Sequence, residues 1–408
     1  MNHSVFLALL VLSTATSSKA AQQISVDTVP AYGTLGSITG TVSGVDPNTH
    51  HVAVFISIEG AGWWTKPTFG TPTVPIAPSG SFSADVGTGG PLSLDSRATI
   101  FCAALLPNTT TPPPASGAGR IPASLMPIAI DCRERYARTI QFAGYTWAVK
   151  ESHLPVGPGQ NVFSDRIEDV FVDHQDRLHM CVAFHDGQWW STELLLLDHL
   201  GYGTYLVQTD SELDALDVNV TVGLFLWDSY GDEETVPGGA HREIDFEDSR
   251  WTDASDLTNA QMVVQPYAAP DNLRRYTIPD LSLDAALTRA FTWLPHSIEF
   301  FALTGHHQPG SFPAMDVIDE YLYMHDPPSR RVPTAGRERL RLNVWLNNVQ
   351  VTGGGVPAPA GGLPVEIVIT DVVFVPEPDV GVLLSAGLTT LALLSRGRRA
   401  REENAFGS

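Results

Sequence analysis

Three acids stand at every second position in His241-Arg242-Glu243-Ile244-Asp245-Phe246-Glu247-Asp248, with an apolar pair between them. Side chains alternate across a pleated strand, so on a strand Glu243, Asp245 and Glu247 share one surface while Ile244 and Phe246 pack on the other. A row of carboxylates of this kind suits glycoside hydrolysis. One ionised carboxylate attacks or stabilises the anomeric carbon, one protonated carboxyl supplies the leaving oxygen with its proton, and an acid between them separates their pKa values. In so acidic a chain such an alternation also arises by chance, as the solvated face of an edge strand.

The elements around the acids give the pattern its context. Gly201-Tyr202-Gly203-Thr204-Tyr205 opens one strand and Gly223-Leu224-Phe225-Leu226-Trp227 forms another just upstream of the acids. Downstream come Phe291-Thr292-Trp293-Leu294-Pro295-His296-Ser297-Ile298-Glu299-Phe300 and Leu342-Asn343-Val344-Trp345-Leu346. In this order, over roughly Arg138 to Pro376, the segments resemble glycoside hydrolase family 16, whose signature Glu-x-Asp-x-Glu lies on a strand of a concanavalin A-like two-sheet jelly roll. The resemblance implies Glu243 as nucleophile, Asp245 as its electrostatic partner and Glu247 as acid/base. It implies an endo-acting hydrolase or transglycosylase that cleaves a β-linked polysaccharide with retention, needs no cofactor, and carries a structural calcium for which Asp371 is the candidate ligand. Two departures stand out: the Trp-Pro that leads into the family's acid strand is replaced by Gly231 to Gly239, and the turn after Trp293 reads Thr304-Gly305-His306-His307. A non-catalytic glycan-binding or matrix protein on the same fold is the alternative function, and the intact acid triad favours the enzyme.

Seven of the nine tryptophans fall in this half of the chain. Sugar faces stack on aromatic rings, although a tryptophan more often packs in a core. Trp251, Tyr267, Trp227 and Trp345 are the candidates for lining a sugar cleft. The histidines His50, His51, His241, His306 and His307 lack the helical spacing of a zinc protease, and no Ser-His-Asp set suggests a serine protease. Cys181, in an alternating apolar run, reads as a small buried hydrophobe rather than a nucleophile.

Composition sets the wider bounds. The chain has 408 residues, 43% hydrophobic and 9% aromatic, with a formal net charge of -21 and lysine only at 19, 66 and 150. Such a field repels phosphate polymers and argues against nucleic acid as a partner. The length allows two domains. From about residue 22 to 133, short β-rich runs separated by turn residues predict a small β-sandwich with a possible carbohydrate-binding role. In it, Trp63 and Trp64 occupy a glycine-flanked loop, either presenting flat rings to a sugar or capping the sandwich. Cys102 and Cys132 can form one disulfide or remain reduced. Asp131 to Arg138 reads as a charged linker. Residues 139 to 375 are strand after strand, with tight connections at Asp173-His174-Gln175-Asp176 and His185-Asp186-Gly187-Gln188 that predict antiparallel hairpins.

The two ends read as addresses. Residues 1 to 20 have the apolar core and the Ser18-Lys19-Ala20 site of a signal peptide, with signal peptidase as partner. At the other end Pro376-Glu377-Pro378 precedes an uncharged run from Val380 to Leu394 and four arginines ending at Arg401. This segment, 376 to 401, resembles the PEP-CTERM sorting signal. The resemblance implies the membrane protease exosortase as partner, a short transmembrane helix as the only membrane contact, and an inner-membrane intermediate that matures to the cell surface or extracellular space. The basic cluster obeys the positive-inside rule, and the run is short against the roughly 20 residues of a stable span.

Overall fold

A computed structural model describes residues 21–87, 94–231, 241–310, 312–325, 331–348 and 356–377. The expected signal peptide and the expected C-terminal transmembrane helix lie outside the described residues, as does most of the loop between Gly231 and His241. The protein is all-β, and among the described residues the only helices are three short 3₁₀ turns.

The first domain packs a three-stranded sheet, Gln23–Thr28, Ser37–Ser43 and Ser81–Asp85, on a larger sheet built around His50–Ile58 and Ala98–Pro107. Alternation explains the pairing: Ile38, Gly40 and Val42 point inward on Ser37–Ser43, and Phe82 and Ala84 do so on Ser81–Asp85. These side chains meet Val52, Val54, Ile56 and Phe101 in one apolar layer. Two sequence expectations give way here. Trp63 and Trp64 lie on a strand, Gly62–Lys66, rather than in a loop, because that segment pairs with His50–Ile58. The charged stretch read as a linker begins as the strand Ala129–Glu134, which pairs with Ala98–Pro107 and brings Cys132 opposite Cys102, to which it is disulfide-bonded. Its alternating acidic and basic residues sit on a half-exposed edge, where charge is tolerated.

The second domain is a two-sheet jelly roll. One sheet has the strand order Arg138–Phe142, Tyr145–Val149, Thr192–Leu196, Arg339–Leu346, Val220–Trp227, Ile244–Asp248, Ala260–Val264, Leu273–Tyr276. The other includes Leu178–His185, Val365–Pro376, Gly203–Asp210, Ala286–Leu294, Ser297–Thr304 and Val317–Met324. Both predicted hairpins, at Asp173–Asp176 and His185–Gln188, are present and antiparallel. The sheets enclose one core, in which Trp147, Trp293, Phe246, Phe300 and Tyr205 are almost fully buried. Cys181 is half-buried, and burial with the nearby Glu366 and Asp169 charges pushes its thiol up to about 12, so it stays protonated.

One charged pair crosses this core. Asp248, at the end of the acid strand and on its inward face, accepts from Arg289 Nη2 of the opposite sheet at 3.0 Å, with both side chains 1% exposed. Removing one partner of a buried pair leaves the other charge unpaired. Arg289→Ala is therefore expected to cost about 3–5 kcal/mol in denaturant unfolding, and Asp248→Leu combined with Arg289→Met is expected to recover most of that loss. A single-variant loss below about 1 kcal/mol would show that the pair does not tie the two sheets.

Candidate active site

The Ile244–Asp248 strand is held between Val220–Trp227 and Ala260–Val264 in continuous antiparallel register. Ile244 and Phe246 are buried in the core, so Asp245 and Glu247 face the opposite side together with Glu243, which immediately precedes the strand. All three line one cavity of about 390 Å³. Backbone residues in the left-handed region bound the strand at both ends: Arg242 has φ 53° before it, and Trp251 and Thr252 have φ 52° and 62° after it. A residue other than glycine rarely adopts this conformation, and neighbouring contacts must hold it there. Arg242 is pinned by the carboxylate of Asp228 and by donation to the Thr334 carbonyl at 2.7 Å.

Hydrogen bonds fix two of the acids from the neighbouring strand. Gln261 Nε2 donates to Glu247 Oε2 at 2.6 Å, and Gln265 Nε2 donates to Asp245 Oδ2 at 3.1 Å. Gln261 is itself oriented by Trp251 Nε1 at 3.2 Å and Arg275 Nη1 at 3.1 Å. Across the acid strand, register places Gly223 opposite both Glu247 and Asn343. A Cβ at Gly223 would lie 2.3 Å from Asn343 Oδ1, so only glycine leaves this part of the floor open beside Glu247. Asn343 Oδ1 is buried and unpaired, and Asn343 lines the cavity.

Three carboxyls on one face resist simultaneous ionisation. Burial, then the charge of Glu247, pushes Glu243 up to about 8, with Arg341 opposing the rise. Burial pushes Glu247 up to about 7 against the opposing effects of Gln261 and Arg275. Asp245, 2% exposed, is raised well above the carboxylate range by burial and by its two neighbours, and Gln265 offsets this in part. At neutral pH the trio therefore retains protons, so the site offers an acid and a carboxylate at the same time.

The four aromatic candidates divide. Trp227 and Trp345 line the cavity. Trp227 stacks on the ring of His241 at 4.0 Å between centroids and 9° between planes. His241 is kept neutral by burial and donates from Nδ1 to the Asp228 carbonyl at 2.7 Å. Trp251 stands behind the site, where it orients Gln261 and packs edge-on against Trp345. Tyr267 is 63% exposed and is not among the lining residues, because it lies in the connection between Ala260–Val264 and Leu273–Tyr276 rather than on the sheet. Asp371 accepts from the amide of Val372 at 2.9 Å. Among the described residues no group of three or more His, Cys, Asp or Glu could hold a metal ion, and no step here involves one.

Several residues of the site carry no label in the sequence reading. Lys150 donates to Glu193 Oε2 at 2.9 Å, and Arg341 Nη1 donates to Glu193 Oε1 at 2.8 Å and to Glu59 Oε1 of the first domain at 2.6 Å. A signal for two of them was present: Arg341 and Asn343 alternate with Leu340, Leu342 and Val344, and that spacing puts them on one face. Glu193 is the lone acid in an apolar strand. Glu59 had no such signal, since it reaches the site only through the docking of the two domains.

No protein-family model and no curated protein matches the chain. Among solved structures it is similar to a β-1,3-1,4-glucanase (lichenase) from a mouse hindgut metagenome, with 18% identity and a TM-score of 0.39 over 57% of this chain and 93% of that one. It is also similar to a pseudo β-1,3-glucanase of Mycobacterium tuberculosis, with 18% identity and a TM-score of 0.40 over 57% and 91%. A third is a Bacteroides ovatus family 16 enzyme of a mixed-linkage glucan locus, solved with a bound product, with 11% identity and a TM-score of 0.39 over 56% and 94%.

The acid cluster has a stability consequence. The folded carboxyls bind protons more tightly than free ones, so folding takes up protons between about pH 4, where free carboxyls titrate, and about 8. Stability from this cluster is fully present below that window and falls as pH rises through it. Asp245→Asn removes one of the repelling charges. Its Tm gain over the parent is expected to be larger at pH 8 than at pH 5, and an equal shift at both would contradict the electrostatic reading.

Proposed function

We propose that the protein is a retaining glycosidase, hydrolase or transglycosylase, acting on a β-linked polysaccharide. The observation that carries this reading is the cavity in which Glu243, Asp245 and Glu247 all emerge from one strand face, with pKa values raised enough to keep an acid and a carboxylate together near neutrality. In a double displacement one carboxylate attacks the anomeric carbon while the other carboxyl protonates the departing oxygen, then water reverses the sequence with the second group as base. Following the resemblance of the acid strand, Glu243 attacks, Glu247 acts as acid/base and Asp245 shares a proton with them. Trp227 and Trp345 supply apolar faces for sugar rings, and Asn343 supplies an acceptor for a hydroxyl.

One observation favours the opposite order of the two glutamates. Gln261 and Arg275 favour the charged form of Glu247, whereas the charge of Glu247 adds to burial in raising Glu243. Both orders are double displacements with retention, and covalent labelling separates them. Export and sorting to the cell surface, with signal peptidase and exosortase as processing partners, complete the proposal and rest on the two terminal segments.

Release of reducing ends from β-1,3, mixed-linkage and galactan polymers tests the reading, with Glu243→Gln as control. Activity is expected on at least one polymer, with the variant lower by a factor of about 10³ or more. The singly ionised pair is most populated between about 7 and 8, so kcat/KM is expected to be bell-shaped over that interval. Below it the nucleophile is protonated, and above it the acid is lost. Binding without hydrolysis, unchanged in the variant, would point instead to a glycan-binding protein.

A further inference from the structure

The first domain docks on the same sheet face that carries the acids, and the junction is specific. Trp63, fully buried, donates from Nε1 to the Ser229 carbonyl at 3.0 Å. Glu134 accepts from Arg339 Nη2 and from the Tyr230 hydroxyl, each at 2.6 Å. Tyr32 donates to Glu151 Oε2 at 2.8 Å, where Arg97 also pairs. Glycines let the two backbones meet. A Cβ on Gly60 would lie 2.7 Å from Val156 Cβ, and one on Gly231 would lie 2.5 Å from the Gly119 carbonyl oxygen.

The consequence for the cavity is direct, because Glu59, Gly60, Ala61, Gly62, Gly117 and Gly119 line it together with the acids. Register shows where they stand. The row Gln261, Glu247, Gly223, Asn343, Glu193 runs across the strands on this face. At the Glu193 end it meets Glu59, which shares Arg341 with Glu193. Burial drives the Glu59 carboxyl upward, but Arg341, reinforced by Lys150, outweighs it and holds the group below the usual range, so Glu59 is ionised. One of its oxygens binds Arg341 and the other has no partner among the described residues, although the side chain is only 16% exposed. A cavity of about 390 Å³ is also of single-ligand size, at the lower end of roughly 300–1,000 Å³.

We propose that Glu59 and the Glu59–Gly62 segment wall off the Arg341 side of the cleft and receive the terminal sugar of a β-glycan, whose hydroxyls donate to the free Glu59 oxygen. The site then takes chain ends rather than chain interiors, in place of the endo mode expected from the sequence. This inference rests on the glycosidase reading for the cut itself, while the terminal-sugar pocket stands on binding alone.

The test uses the mature chain, its Glu243→Gln form as a non-hydrolysing binder, and Glu59→Gln in both backgrounds. Calorimetry with β-1,3, mixed-linkage and β-galactan oligosaccharides is expected to show affinity that stops rising with chain length once the cavity is filled. O-methylation of the end sugar is expected to weaken binding by about ten-fold, the worth of a hydrogen bond to a charged group. Glu59→Gln should lose that discrimination, which a merely structural role of Glu59 would leave in place, and should raise KM by a similar factor. On the polymer, reducing ends should accumulate well before viscosity falls. An early collapse of viscosity, or capped and uncapped ends binding the parent equally, would overturn the wall while leaving glycosidase activity intact. Binding that obeys these rules with no cleavage of any polymer would refute the enzyme reading and retain the pocket, and no binding to any of these glycans would overturn the pocket.

Discussion

Arg341 is the constraint on which the site depends. Its side chain is 2% exposed and sits on the strand next to Val220–Trp227, itself the neighbour of the acid strand, where it bonds Glu193 of its own sheet, Glu59 of the other domain and the Ser229 hydroxyl at 2.6 Å. A guanidinium suits this place because its planar fork serves several oxygens at once and stays charged when buried. Replacing it by lysine would keep a charge and lose the geometry. Arg341 ties the floor of the cleft to its wall and opposes the rise of the Glu243 carboxyl.

The acids themselves work against folding. Three carboxyls on one strand face repel one another and lose hydration, and the core opposite them tolerates this because Ile244 and Phe246 lock the strand in register. The cost is offset by Gln261 and Gln265, which donate to Glu247 and Asp245 from the next strand and the turn after it, and by Arg275, which donates to Gln261 from the strand beyond and favours the charged form of Glu247. Active sites commonly carry such local destabilisation. Here the same repulsion raises the pKa values that acid/base chemistry near neutrality uses.

Much of this architecture was legible in the sequence, for definable reasons. Alternation located the strands of both domains, and the acid strand could be read because its two faces differ so sharply in polarity. The loop assigned to Trp63 failed because adjacent tryptophans flanked by glycine and proline look like a turn, whereas strand pairing and the docking of Trp63 on Ser229 decide the matter. Asp131–Glu134 differs from the linker expectation for a similar reason: a half-exposed edge strand can be as charged as a linker. Tyr267 and Glu59 mark the deeper limit. Which surface residues face a cleft depends on how the chain leaves each strand and on which domain docks where, and neither is encoded in local spacing.

The central claim is that the Glu243, Asp245 and Glu247 face performs a double displacement through a covalent glycosyl-enzyme. The most direct measurement is trapping with a 2-deoxy-2-fluoro β-glycoside carrying a good leaving group, followed by mass spectrometry of the peptides. A single glycosyl ester on Glu243, absent in Glu243→Gln, is the predicted result, and an ester on Glu247 would keep the chemistry while reversing the roles. The claim is contradicted if no adduct forms while the natural glycan is still cleaved, or if the first product released has inverted anomeric configuration.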